Sequence, residues 1–142
     1  RQVIDRIKET HSEGGAALAE AERKRMLKLE ARIAITDGSG VDAARVLEEI
    51  VALDPLDGDA LMLLAQHYAR SGDNERAAFY YERAEGISAF EADARVRHAQ
   101  MLVSQSRYLE AVPLLKRAQE LKPRDEVARY LEQVERIARA SR

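Results

Sequence analysis

The sequence predicts an all-α fold of stacked helix pairs, and three observations carry that expectation. Apolar residues recur at helical spacing, the pattern returns every 34 residues, and a glycine or serine interrupts it once per repeat. Composition agrees: aromatic residues make up 5% of the chain and charged residues 34%, alongside abundant alanine. Alanine and long straight side chains are the good helix formers.

The clearest unit lies between Asp57 and Ala84. Leu61, Leu64, Ala65 and Tyr68 fall at i, i+3, i+4 and i+7, which places them on one helix face. Ser71-Gly72-Asp73-Asn74 then breaks the pattern with a residue free to take positive φ, followed by side chains that cap a new helix. Ala77, Tyr81 and Ala84 form the inner face of that second helix. Small residues at Ala65, Ala77 and Ala84 allow close approach, while Leu64, Tyr68 and Tyr81 fill the space on either side.

Shifted by 34 residues, the same columns return. Ala31, Ala65 and Ala99 share one phase, and Ala43, Ala77 and Ala111 another. Leu47, Tyr81 and Leu115 are the bulky column, and Leu53, Ile87 and Leu121 the late apolar one. Gly38 and Gly72 mark the turn, where Ser106 stands third; Pro55 and Pro123 close the outer units, with Ala89 between them.

This order of large, small and aromatic residues resembles the tetratricopeptide repeat, on the strength of Leu61, Leu64, Ala65, Tyr68, Ala77, Tyr81 and Ala84. The resemblance covers residues 24–123 as three units, 24–57, 58–91 and 92–125, with a helical extension over 1–23 and a capping helix over 126–142. Departures fall in the outer units: Glu30 and His98 replace the leucine of Leu64, Arg95 stands for Leu61, and Ile50 replaces a small residue. The resemblance implies an α-solenoid of antiparallel helix pairs, with first helices lining a concave groove, and an interaction role rather than catalysis.

Taken in order, Val3, Ile4 and Ile7 make a short amphipathic segment, and His11 to Gly15 reads as a break, since each glycine costs about 1 kcal/mol in a helix. A long helix follows from Ala16 to Thr36, with Glu20 four before Lys24 as a surface pair. Besides Leu27, Ala31 and Ala34 it carries a second apolar stripe, Met26, Leu29 and Ile33. Two covers suit that stripe: the N-terminal segment folded back as a cap, or another molecule in self-association or partner binding.

Asp37-Gly38-Ser39-Gly40 reads as the first inter-helix turn, with Ser39 and Asp42 as a capping-box variant. It lacks the lysine of a phosphate loop and the alternating acids of a calcium loop. Ser88 to Glu91 reads as a capping box opening the third unit. Tyr108 to Leu121 is its second helix, with Pro113 near the first turn. Val127, Tyr130, Leu131, Val134 and Ile137 make a final amphipathic helix suited to solvating the end of an array.

No apolar run of membrane-spanning length occurs, and a chain starting at Arg1 rather than methionine reads as a piece of a longer protein. With no cysteine there is no disulfide framework and no thiolate or zinc-finger chemistry, and the compartment stays open. Net charge runs +2 over residues 1–36, −8 over 37–91 and +4 over 92–142. A solvated helical surface explains this pattern, and so does steering of head-to-tail association or of a basic partner to the middle unit. A net charge of −2, with no basic stripe interleaved with aromatics, argues against nucleic acid.

If first helices line the groove, its residues are Lys28 and Arg32, then Met62, Gln66 and Arg70, then Val96, Arg97 and Gln100, with Asp59, Leu63, Asp93 and Ser104 beside them. Methionine and glutamine suit adaptable contact with a protein or peptide partner. Some tetratricopeptide cochaperones grip terminal carboxylates with a clamp of two lysines, two asparagines and an arginine. Lys28 and Arg97 match it, but Arg32, Leu63 and Asp93 hold the other places, and Asp93 would repel a carboxylate.

Residues for chemistry are sparse. His67 and His98 have no carboxylate or second histidine at ligand spacing on their own helices, and His98 reads as structural. Of Phe79, Tyr80 and Tyr81, the last is needed for packing and Tyr80 is the one expected to face outward. No Ser–His–Asp, Cys–His or His-Glu-x-x-His arrangement exists, so no catalytic residue, metal site or cofactor is expected. Two functions follow: a non-enzymatic adaptor binding a peptide or protein along the concave face, or a homo-oligomeric element associating through Met26, Leu29, Ile33 and the end helices.

Overall fold

A computed structural model of the chain describes residues 2–36 and 40–141, with side chains described for 15–34 and 43–141. All regular structure among these residues is helical. The chain divides into two compact units, Arg1–Pro55 and Leu56–Arg142.

In the first unit α1 spans Gln2–Thr36 and α2 spans Gly40–Leu53. The break expected at His11 to Gly15 is not there, because one helix runs through it. Glycine weakens a helix without forbidding it, and the alanine, glutamate, lysine and arginine that follow are strong helix formers. Thirty-five residues at 1.5 Å each make a rod of about 52 Å, so the expected fold-back cap has no reversal to form on. The side chains of Val3, Ile4 and Ile7 lie outside those described. Met26, Leu29 and Ile33 are 63%, 58% and 60% exposed.

On its other side α1 buries Leu27 and Ala31 and packs on α2. The second helix contributes Ala43, Val46, Leu47, Ile50 and Val51, and Ile50, in a column that holds alanine elsewhere, is fully enclosed. Lys24 pairs with Asp54, and Arg23 reaches Glu49 at 4.0 Å, so the end of α2 is tied to the middle of α1. The turn expected at Asp37 to Ser39, and the cap expected from Ser39 and Asp42, lie outside what is described.

In the second unit α3 (Gly58–Arg70), α4 (Asn74–Glu85), α5 (Glu91–Ser104), α6 (Tyr108–Leu121) and α7 (Asp125–Ala140) pack each on the next. The first hairpin follows its sequence closely. Leu61, Leu64, Ala65, Ala77 and Ala84 have no exposure, with Tyr68 and Tyr81 buried beside them. Gly72 turns the chain at φ +85°, and the Asp73 carboxylate caps α4 by accepting from the Arg76 N–H at 3.2 Å. Asp57 caps α3 likewise, accepting from the Ala60 N–H at 3.1 Å.

The expected box at Ser88 to Glu91 does not form: Phe90 stands at the N-cap of α5 and gives no side-chain hydrogen bond. Tertiary packing fixes this start instead. A Cβ at position 58 would lie 2.2 Å from the Phe90 ring, so the ring fills the place of the side chain that Gly58 lacks.

In the last helices Ala99, Leu102, Ala111, Leu115, Val127 and Val134 form one core cluster. Ala138 is buried in α7, whereas Ile137, expected on that face, is 42% exposed. Pro113 is the sixth residue of α6, deeper than the first turn, and leaves the Leu109 carbonyl without its helical donor. Leu109 and Pro113 are both exposed, where water can serve that carbonyl.

Ser106 occupies the turn column of Gly72 and holds φ +61°. A left-handed residue with a Cβ costs roughly 1–2 kcal/mol, partly offset by the larger unfolded-state entropy of glycine. Ser106→Gly is therefore expected to stabilise the chain by roughly 0.5–1 kcal/mol, read as a thermal midpoint a few degrees higher. An unchanged or lower midpoint would contradict the assignment of strain to that turn.

Candidate interaction face

The α3 face away from the core carries Asp59, Met62, Leu63, Gln66 and Arg70, which recur at three- and four-residue steps. Met62, Leu63 and Gln66 are half-buried, and Asp59 and Arg70 exposed. On α5, Arg97 and Gln100 are exposed. Val96 is different: it packs against the core cluster that holds Val127 and Val134, with Tyr130 and Leu131 beside it. Of the residues expected in the first unit, Lys28 is half-buried and Arg32 exposed, and both engage other residues.

Electrostatics divides this face. Asp93 accepts from Arg124 at 3.1 Å and lies 3.9 Å from the Lys122 ammonium. The repulsion that Asp93 would exert on a carboxylate is thus answered by two cations of the α6–α7 connection. Arg70 and Arg97, by contrast, have no ion-pair partner among the described residues.

Tyr81 is only 3% exposed. Burial pushes the Tyr81 phenol above its ordinary value of 10.0, and the Arg97 and Arg70 charges pull it part of the way back. The Tyr81 ring stacks on His98 at 5.7 Å between centroids, and His98 neighbours Arg97 in sequence.

His98 is structural in detail. Its Nδ1 lies 2.9 Å from Glu85 Oε1, both side chains are about nine-tenths buried, and the Tyr81 ring covers it. Arg95, in the column of Leu61, bonds Glu91 at 2.9 Å, and Arg117 of α6 reaches the same carboxylate at 3.5 Å. An i,i+4 ion pair within α5, extended to α6 by Arg117, and a His98–Glu85 contact to α4 thus stand where the repeat pattern has two leucines. Glu91 is a local partner of Arg95, whereas Arg117 and Glu85 are distant in sequence and carry no local signal.

A second cluster joins α3 to α4. Tyr80 is half-buried and stacks on Tyr68 at 5.7 Å, so the residue facing outward is Phe79, 54% exposed with Arg83 over its ring. Helical spacing ranks neighbouring side chains poorly when a stacking partner on the next helix decides between them. No described group of three or more His, Asp or Glu residues could hold a metal ion, and no described helix is long and apolar enough to cross a membrane.

Successive helix pairs in a fixed period, closed by small residues and turned at positive φ, define a helical-repeat protein of the α-solenoid class. A tetratricopeptide repeat family model matches residues 28–92 of the chain. No curated protein matches the sequence. Among solved structures it is similar to the yeast Sti1 TPR2B domain in its pHsp70 complex, with 19% identity, 84% of this chain and 98% of that one covered, and TM-score 0.70. It is also similar to the type III secretion chaperone SycD of Yersinia enterocolitica, in complex with a peptide of the translocator YopD. That match has 21% identity, covers 83% of this chain and 94% of the other, and has TM-score 0.72. A Thermobaculum terrenum O-GlcNAc transferase mutant matches with 24% identity and TM-score 0.64 over 75% of this chain. The chain spans 20% of that transferase's length. Such identities establish a shared fold.

Tyr81 and Tyr130 both have phenols raised by burial. The folded state holds these protons longer than the unfolded chain, so stability present below pH 10 falls as pH rises through the raised folded values. Thermal melts between pH 9 and 11.5 should show this fall, and Tyr81→Phe should flatten part of it. A Tyr81→Phe profile parallel to the parent's would deny the burial effect.

Proposed function

We propose that this chain is a non-enzymatic interaction module, holding a peptide or protein segment on the face of α3 and α5. The observation that carries this is the run of half-buried Met62, Leu63 and Gln66 leading to two exposed arginines without ion-pair partners among the described residues. An apolar shelf with adaptable side chains gives contact area, and polar groups at its end give orientation. The peptide in the SycD complex and the pHsp70 in the Sti1 complex support the reading by analogy of fold. Gln100 lies at the margin of this proposed surface on α5.

The triple change Met62→Glu, Gln66→Ala and Arg97→Glu tests it. Cross-linking capture from the native source should lose the bound protein while the far-ultraviolet helical spectrum stays unchanged. Capture that persists in the triple variant would move the binding surface elsewhere.

Self-association is the second reading, and the exposure of Met26, Leu29 and Ile33 on α1 favours it. It predicts a mass in sedimentation equilibrium that rises with concentration and falls back to the monomer when Leu29 and Ile33 become glutamate. A strictly monomeric parent at high concentration would dispose of it.

A further inference from the structure

One face of α1 packs on α2 through Leu27 and Ala31, and at about 100° per residue Leu18, Met26, Leu29 and Ile33 fall on the opposite face, all exposed. Residues 15–22, on the N-terminal side of that packing, are exposed throughout. Gly15, Ala19 and Glu22 share the apolar face, so its first half is lined by small residues and one carboxylate, and its second half by large apolar side chains. A Cβ on Gly15 would meet nothing within 4 Å among the described residues, so its own chain gives no reason for a glycine that weakens the helix by about 1 kcal/mol.

Charge divides the helix at the same place. Residues 9–22 hold four glutamates and no lysine or arginine, whereas residues 23–34 hold five lysines or arginines and one glutamate, so −4 adjoins +4. Glu22 and Arg25, on either side of the change, are exposed and have no ion-pair partner among the described residues.

We propose that two copies of the chain pair antiparallel along this face of α1, about a twofold axis near residue 24. The pairing rests on the self-association reading above and gives it an orientation and a register. Helices running in opposite directions set the acidic segment of each on the basic segment of the other, and helices running in the same direction set like on like. The seam decides the same way. In a parallel pair Glu22 faces its own copy and the two carboxylates repel. In the antiparallel pair Glu22 lies over Met26 with Arg25 beside it, Leu29 lies over Ala19, and Ile33 takes the open space at Gly15, each twice by symmetry. Large residues over small ones let the two backbones approach closely. The overlap of residues 15–33 is about 27 Å of helix.

The test is sedimentation equilibrium on the 142-residue chain and its variants. Glu22→Arg and Arg25→Glu, both at exposed positions, should each raise the dimer dissociation constant about tenfold. The double variant should restore it, because exchanging the two charges keeps their antiparallel contact. In a parallel pair the exchange sets arginine against arginine and binding stays weak. The chain has no cysteine, so single replacements read the register. Ala19→Cys mixed with Leu29→Cys should give a mixed disulfide on mild oxidation, and neither variant alone should link to itself. A self-linked Leu29→Cys, a missing mixed disulfide or a double charge variant that stays weak would overturn the antiparallel pairing and leave self-association standing. A dimer indifferent to both charge changes would overturn it too and move the contact off this face of α1. A strictly monomeric parent would dispose of both.

Discussion

Close approach of α3 and α4 is the constraint on which the second unit depends. Ala65, Ala77 and Ala84 have no exposed surface, and backbones that meet over alanines leave room for large side chains only at the flanks. Tyr68 and Tyr81 take those flanks. Tyr81 then reaches α5 by stacking on His98, and the same ring carries the packing onward from one helix pair to the next. A larger residue at any of the three alanines would push the helices apart and move Tyr81 with them.

The same arrangement orders the charges of the second unit. His98 and Glu85 answer each other beneath the surface, Arg95 and Arg117 share Glu91, and Asp93 is met by Arg124 and Lys122. After these pairings, Arg70 and Arg97 remain without an ion-pair partner among the described residues. A charge with an internal partner has little to give an external one, which sets these two apart from the paired arginines around them.

Local rules made the fold legible. Leu61, Leu64, Ala65 and Tyr68, Gly72 at positive φ, and the capping Asp73 follow from helical period and turn chemistry within a few residues of one another. What sequence reasoning missed was decided at a distance or by a weak penalty. The α5 start at Phe90 is set by Gly58, thirty-two positions earlier, and the outward turn of Phe79 by the Tyr80 stack on Tyr68. Gly15 costs its helix too little to break it among strong helix formers. For the interaction face, the stripe on α3 could be read from spacing. The packing of Val96 against the core needed the neighbouring helices in place.

The fit of the Phe90 ring over Gly58 bears on how such a chain can grow. Repeat proteins lengthen by duplicating units, which works when every unit presents the same two surfaces. Here one unit opens with a bare backbone and the residue closing it carries the ring that fills the gap, while the equivalent positions elsewhere hold Lys24 and Ala92. A copied second unit would bring its own glycine and ring together, but one split between its two helices would leave a bare notch and a stranded aromatic. The pair therefore defines where this array can be cut and rejoined, and gives its middle unit an identity that its neighbours do not share.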